Sequence, residues 1–382
     1  MPTGCYLYLL TLLACASLVV STQTKPHVHV TAFYYLWYGN PEHDGKYLHW
    51  DHSVLPHWNE EIRKAYKSGH RHNPPTELHS PFYPARGPYS VADAEVVTSQ
   101  LLELESHGID SVSLSWWGRA GGDTQGVNTD AAMDRFIGIT ESSNSNVKVS
   151  FHLEPYHGRN IDSVRDDILY LCRKHANSKA VYKDEKERML FFVYDSYHIK
   201  ASDWQRLLVP SGDLFVRDSC PGLFIGLWLN RDDGKEIVSS GFDGAYTYFA
   251  SIGFSFGSTP ANWSRMKTFM EQHNKLFIPS AGPGYNDTKI RPWNNHNTKP
   301  RMDGEYYKTM LHAASSASNK YVSITSYNEW GEGTQIESAK DKLAGFMDYS
   351  PHQPNYYLEI TKTWVDSIAA MPETCGETEQ TL

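Results

Sequence analysis

At 382 residues with a formal charge of −9, the chain is long enough to bury a large core, and it carries no dense Lys/Arg stripe, which excludes a nucleic-acid-binding surface. Its mixed-sign run "KDEKER" (183–188) reads as a solvated segment. Aromatic residues make up 13% of the chain, with 11 Trp and 24 Tyr. That balance either builds a Tyr-rich core or presents the flat apolar faces with polar rims that hold sugars.

The chain opens on an apolar run from Tyr6 to Val20 followed by small and polar residues, the pattern of a secretory signal peptide over residues 1–24. The run is short for a membrane span and no Lys or Arg precedes it, which favours cleavage over a signal-anchor. Cys5 and Cys15 lie in this leader, leaving Cys172, Cys220 and Cys375, so at most one internal disulfide is expected and a zinc ribbon is excluded. Sequons at Asn262-Trp-Ser and Asn286-Asp-Thr are glycosylation candidates.

Eight short apolar runs of strand character follow: 28–37, 109–117, 147–153, 189–195, 223–229, 242–249, 275–281 and 320–327. Helical periodicity fills the gaps, with Val97, Leu101 and Leu104 before the second run, Met133, Phe136 and Ile137 after it, and Ile168 with Leu171 after the third. Tyr357, Ile360, Trp364 and Ile368 repeat the pattern near the end. Eight strands alternating with helices predict an α/β fold, a single (β/α)8 TIM barrel over 25–372 with a flexible tail at 373–382. A long insertion after the first strand, residues 39–90, is rich in Pro, Gly, His and Tyr and reads as a wall over the barrel mouth.

Active sites of such barrels lie at the C-terminal ends of the strands. Those ends read "FYYLWYG", "SWWGR", "FHLEPYHGR", "YTYFAS" and "SYNEWGEGTQIE", so aromatics and carboxylates converge on one face. Two carboxylates flanking a bond are the minimal equipment for glycoside hydrolysis, and Glu329, Glu332 and Glu154 are the candidates. Like charges held close raise one pKa, as an acid working at neutral pH requires. Glu337 reads as a supporting residue. Tyr34, Tyr35, Trp116, Trp117, Tyr248 and Trp330 are candidate stacking faces, although strand alternation turns about half of such residues into the core.

Other motifs carry less. "GFSFG" around Ser255 matches a nucleophile elbow without the helix that should follow it. "HVH" (27–29), "HWDH" (49–52) and "HRH" (70–72) suggest metal ligands, but spacing fixes no third ligand. "GPG" (282–284) is a turn and not a phosphate cradle.

"AFYYLWYG", "FHLEPYHGR", "GAYTYFAS" and above all "YNEWGEGTQIE" resemble glycoside hydrolase family 99, the endo-α-1,2-mannosidases, in order from about His27 to Ala370. The resemblance implies retaining cleavage of an internal α-1,2-mannosidic bond in glucosylated high-mannose N-glycans, through a 1,2-anhydro sugar. Glu329 would be the base at the 2-hydroxyl, Glu332 the acid/base at the leaving oxygen, and Glu154 a holder of the sugar. His152, Tyr156, Arg159 and Asn328 would join the aromatics in binding substrate, with Gly331 and Gly333 letting the backbone approach it. It implies no metal or cofactor, a monomer, a mannose-containing glycan partner, and the Golgi lumen or secretion. The leader lacks the basic tail and stem of membrane-anchored Golgi members, which favours a soluble lumenal or secreted form. A catalytically silent glycan-binding barrel and a retaining glycosidase with a Glu nucleophile are the alternative readings.

Overall fold

The computed structural model describes residues 27–370 apart from 120, 121, 124 and 319, so the expected leader, Cys375 and the tail lie outside the described residues. Strands β1 (His29–Tyr34), β2 (Ser111–Trp116), β3 (Lys148–Leu153), β4 (Met189–Val193), β5 (Gly222–Leu227), β6 (Gly244–Tyr246), β7 (Leu276–Ile278), β8 (Ser280–Ala281) and β9 (Tyr321–Ile324) form one parallel sheet in the order β7-β6-β5-β4-β3-β2-β1-β9-β8. The expected strand 275–281 is divided at Pro279, which has no N–H to continue the ladder. Its first half pairs with β6 and its second with β9. A single residue thus joins the two ends of the sheet, and the eight sequence-predicted strands close as an α/β barrel.

Two short helices, α1 (Pro41–Asp44) and α2 (Glu60–Ala65), lie in the insertion after β1. The outer ring comprises α3 (Ala94–Ser106), α4 (Thr129–Ser142), α5 (Ile161–His175), α6 (Ala201–Leu208), α7 (Asp233–Ser240), α8 (Trp263–Gln272), α9 (Glu305–Ala317) and α10 (Tyr356–Ala370). Their starts follow from local chemistry. Asp93 accepts from the N–H groups of Glu95 and Val96 to begin α3, and Asn160 and Ser163 form a capping box at α5. Val97, Gln100, Leu101 and Leu104 of α3 are buried against the sheet.

Side chains of the strands alternate between the barrel interior and the helices, and both faces are buried. Phe33 points inward, with its ring 4.6 Å from His152, 5.3 Å from Phe192 and 5.7 Å from Tyr246. Tyr34 therefore points outward, where its hydroxyl donates to Gln100 at 2.5 Å and its ring packs on Phe136 and Tyr327. The same alternation on β2 turns Ser115 inward and Trp116 outward.

Cys172 on α5 and Cys220, two residues before β5, form a disulfide with a Cα separation of 5.7 Å. It closes a loop of 48 residues, for which chain entropy gives about 4 kcal/mol. The Cys172→Ser/Cys220→Ser double variant is accordingly expected to lose about 4 kcal/mol of unfolding free energy, measured by urea denaturation against the oxidised parent.

Candidate active site

A cavity of about 580 Å³ opens at the C-terminal ends of the strands, within the size range of small-ligand sites. Glu154 after β3 and Glu329 and Glu332 after β9 line it, together with Tyr35, Trp117, Tyr194 and Tyr248. The insertion supplies the opposite wall through His49, His52, Arg71 and His79.

The segment after β9 is fixed to the end of β1 by backbone groups. Tyr327 N–H donates to the Phe33 carbonyl at 2.9 Å. The Asn328 side chain accepts from Tyr35 N–H at 2.7 Å and donates to the Tyr35 carbonyl at 3.1 Å. Asn328 thus acts on protein backbone and does not line the cavity. Glu329 N–H donates to Ser326 Oγ at 2.8 Å, and Trp330 N–H to the Tyr38 hydroxyl at 3.1 Å. Trp330 through Glu332 then make one 3-10 turn that ends on Gly333 at φ 61°, a left-handed position suited to glycine. A Cβ on Gly331 would stand 2.6 Å from Ile290 and 2.7 Å from His79, and one on Gly333 would stand 2.9 Å from the Asn286 carbonyl. The two glycines thus serve close packing of the loop on its neighbours, where sequence had suggested approach to a substrate.

The three cavity carboxylates differ in surroundings. Glu154 accepts from Ser115 Oγ at 2.8 Å and stands 3.1 Å from His152 Nδ1. Glu329 is 5% exposed, and its Oε2 has no hydrogen-bond partner among the described residues. Burial pushes its carboxyl well above the usual range, and the neighbouring Glu332 adds to the push. The Glu332 side chain is 25% exposed toward the mouth, with Arg291 Nη1 3.5 Å from its Oε1. Burial raises it and Arg291 pulls the other way, leaving it at about 7. Arg291 is itself held by Asp287 at 3.2 Å.

Three further buried donors or acceptors without a partner among the described residues belong to residues that line the same cavity as Glu329: Trp37 Nε1, Trp117 Nε1 and His79 Nδ1. Each such atom costs about 1–3 kcal/mol when it stays unpaired. Their gathering on one surface suits a ligand with many hydroxyl groups. Tyr35 and Tyr248 join through their hydroxyls, and Tyr248 holds φ 54°, a conformation that costs a bulky residue energy and turns its ring into the cavity.

Of the sequence-predicted binding residues, Tyr35, Trp117, Glu154 and Tyr248 line the cavity with Glu329 and Glu332. Tyr34 and Trp116 do not, because they face the helix ring; Trp116 Nε1 donates to Asp130 at 3.0 Å. Trp330 is fully buried and donates to Glu337 at 3.0 Å, so it offers no face to a sugar. Tyr156 bonds to Ser163 and Asp167. Arg159 donates to the carbonyls of Tyr194 and Asp195, each at 2.7 Å, so it shapes the loop after β4. His152 lies under the cavity, against Glu154 and the Tyr246 hydroxyl. The side chain of Asn262 donates to the Phe256 carbonyl at 2.9 Å, and Asn286 accepts from the hydroxyl of Thr288, within its own sequon, at 2.7 Å.

Sequence reasoning passed over Trp37, Tyr194 and Arg291, and weighed His49 only as a metal ligand within "HWDH". Trp37 and Tyr194 carried a signal, since each is an aromatic just past a strand end. His49 stacks on Trp37 at 4.3 Å and bonds to Asp123. Neither that contact nor the approach of Arg291 to Glu332 has a local sequence signature.

The family model for glycosyl hydrolase family 99 matches residues 25–370. A glycoprotein endo-alpha-1,2-mannosidase from Rattus norvegicus is 45% identical over 349 residues, covering 89% of this chain and 75% of the rat protein. A glycoprotein endo-alpha-1,2-mannosidase-like protein from Homo sapiens is 44% identical over 343 residues, covering 88% and 74%. Among solved structures, a GH99 endo-alpha-mannosidase from Bacteroides thetaiotaomicron superposes with a TM-score of 0.81 at 39% identity, over 89% of this chain and 97% of that one.

Behind the cavity, the buried carboxylate of Glu337 accepts from Arg86 at 3.1 Å, Tyr89 at 2.7 Å, Gln100 at 2.8 Å and Trp330 at 3.0 Å. Removing it takes one acceptor from Arg86, which keeps Glu103 at 2.8 Å, and leaves the Tyr89 hydroxyl and the Gln100 amide as buried donors without their acceptor. Glu337→Ala is therefore expected to cost about 3–5 kcal/mol in urea denaturation, a loss far above that of a typical surface substitution.

Proposed function

This chain belongs to glycosyl hydrolase family 99 and is a glycoside hydrolase, and we propose that it cleaves an internal α-1,2-mannosidic bond of high-mannose N-glycans. The observation that carries the reading is Glu329, which lines the cavity with Glu332 and whose buried Oε2 has no partner among the described residues. Such an oxygen is free to accept a proton from a substrate hydroxyl. In an α-mannoside the 2-hydroxyl is trans-diaxial to the leaving group, so once Glu329 takes its proton the oxygen attacks the anomeric carbon from behind. Glu332 protonates the departing oxygen, which gives a 1,2-anhydro sugar. Water activated by Glu332 then opens that sugar at the anomeric carbon, with Glu329 returning the proton to O2 and net retention of configuration. Glu154, steadied by Ser115, orients the sugar beside the reacting carbon.

The protonation states support these roles for the pair as a unit. The reaction needs one proton on two carboxyls, and burial raises both while Arg291 limits Glu332. Trp37, Trp117 and His79 supply hydrogen-bonding atoms for sugar hydroxyls. Tyr35 and Tyr248 supply ring faces. The relatives named as acting on glycoproteins, and a disulfide suited to an oxidising compartment, support action in the secretory pathway, with the Golgi lumen as the proposed location. The preference for glucosylated mannose branches rests on the family resemblance alone.

Glu332→Gln and Glu329→Gln are each expected to abolish disaccharide release from glucosylated high-mannose glycan while the far-ultraviolet circular dichroism stays unchanged. Undiminished release in either variant, or a sugar covalently trapped on Glu329, would sink the assignment. The parent kcat/KM should rise as pH rises through about 7, where the pair gives up the first of its two protons, and fall at higher pH as the second leaves. Arg291→Gln removes the cation that favours the ionised forms of both carboxyls, so both limbs should move to higher pH.

A further inference from the structure

We propose that His70, His72 and Glu77 form a zinc-class metal site on the insertion, outside the catalytic cavity. The sequence presents "HRH" with no third ligand at a telling distance; the chain turn through Asn73 brings Glu77 back, its N–H donating to the Asn73 carbonyl at 3.0 Å. His70 Nε2 stands 3.1 Å and His72 Nδ1 3.2 Å from the same oxygen, Glu77 Oε1. The three ligand atoms all lie within 4.8 Å of one another. Ligand atoms on a tetrahedron with bonds of about 2.0–2.1 Å stand about 3.3 Å apart, so the two nitrogen-to-oxygen distances are near the spacing a bound ion would impose.

The tautomer of His72 sharpens the inference. Its Nε2 lies 3.0 Å from the Lys289 carbonyl, an oxygen that can only accept, so Nε2 carries the hydrogen. In neutral His72 the lone pair is then on Nδ1 and faces a carboxylate, two acceptors in contact. Something positive has to lie between them, either a second proton or a metal ion. A ring nitrogen fixed by an N–H to a backbone carbonyl on its far side is the usual arrangement of a metal-bound histidine. The His72 side chain is 3% exposed, whereas His70 at 55% and Glu77 at 40% leave the fourth position open to water. Two imidazole nitrogens with one carboxylate oxygen suit Zn²⁺ and its transition-metal neighbours better than Mg²⁺ or Ca²⁺.

The ion would act on the cavity at one remove. Arg71, between the two histidines, lines the cavity, and Val54 N–H donates to the His70 carbonyl at 2.8 Å. Lys289, the partner of His72, directly precedes the cavity residues Ile290 and Arg291. A metal here would therefore tie the insertion to the segment that carries the partner of Glu332, and so stiffen the wall of the cleft.

The test uses the full chain without a histidine tag, stripped with chelator and titrated with Zn²⁺, Co²⁺ or Mg²⁺. The expected results are one Zn²⁺ per chain in equilibrium dialysis, a raised Tm with Zn²⁺ but not Mg²⁺, and visible Co²⁺ absorption typical of tetrahedral coordination. His70→Ala and Glu77→Gln, both at exposed positions, should keep the parent circular dichroism, weaken Zn²⁺ binding by at least about tenfold and abolish the Co²⁺ spectrum. Failure of the parent to retain Zn²⁺, equal binding by parent and variants, or an equal response to Mg²⁺ would each overturn the proposal and leave an imidazolium hydrogen-bonded to Glu77.

Discussion

Four donors from three segments converge on the buried carboxylate of Glu337, and the shape of the cleft depends on that convergence. Arg86 and Tyr89 come from the insertion, Gln100 from the first long helix and Trp330 from the loop between the two cavity glutamates. A carboxyl with no exposure is tolerated only when its oxygens are hydrogen-bonded, and here both are, while burial raises it to about 7. Because Trp330 lies between Glu329 and Glu332, fixing its indole fixes the turn that aims both carboxyls. The same carboxylate thus binds wall, helix and loop into one unit, and Asn328 splices that unit to the first strand.

The barrel was legible because its strands alternate with helices at regular spacing and each strand is short, apolar and bounded by turn residues. The eight expected runs correspond to observed strands, and the one subdivision, at Pro279, follows from a missing N–H. Boundaries were less legible at the first and sixth strands, whose last residues leave the ladder to build the cavity. The phase of each strand was not legible. Tyr34 and Tyr35, or Trp116 and Trp117, are equivalent as sequence, since a strand buried on both faces carries apolar residues on both. Only the register of the closed sheet decides which ring turns inward.

The carboxylates were legible by their crowding after the last strand, but the groups that tune them were not. Arg291 reaches Glu332 across 41 positions, and His49 meets Asp123 across 74. Such contacts arise from the order of loops around the barrel mouth and leave no local pattern. The histidine pair at 70 and 72 shows the same limit, since its carboxylate partner is recognisable only after the chain has turned. By contrast Trp330 and Asn328, conspicuous in the motif, serve protein packing and backbone bonding. In a dense motif the residues that hold the chain are as conspicuous as those that face the ligand.

The distribution of one proton over two carboxyls links this architecture to the proposed chemistry. With like charges this close, full ionisation of the pair is opposed by burial and by mutual repulsion, so a proton persists to higher pH than on either group alone. Arg291 hydrogen-bonds to Glu332 and acts on Glu329 through its charge alone, which draws the shared proton toward Glu329. The proposed reaction begins from the opposite arrangement, with Glu332 protonated. A substrate can reverse the bias, because its 2-hydroxyl donates to Glu329 and favours the ionised form there, while the glycosidic oxygen accepts from Glu332 and favours the protonated form. Binding and proton transfer between the carboxyls would then be one event, and a ligand lacking the 2-hydroxyl would leave Glu332 ionised, without the proton it has to donate. Selectivity for the mannose configuration would in that case reside in the acid as much as in the base.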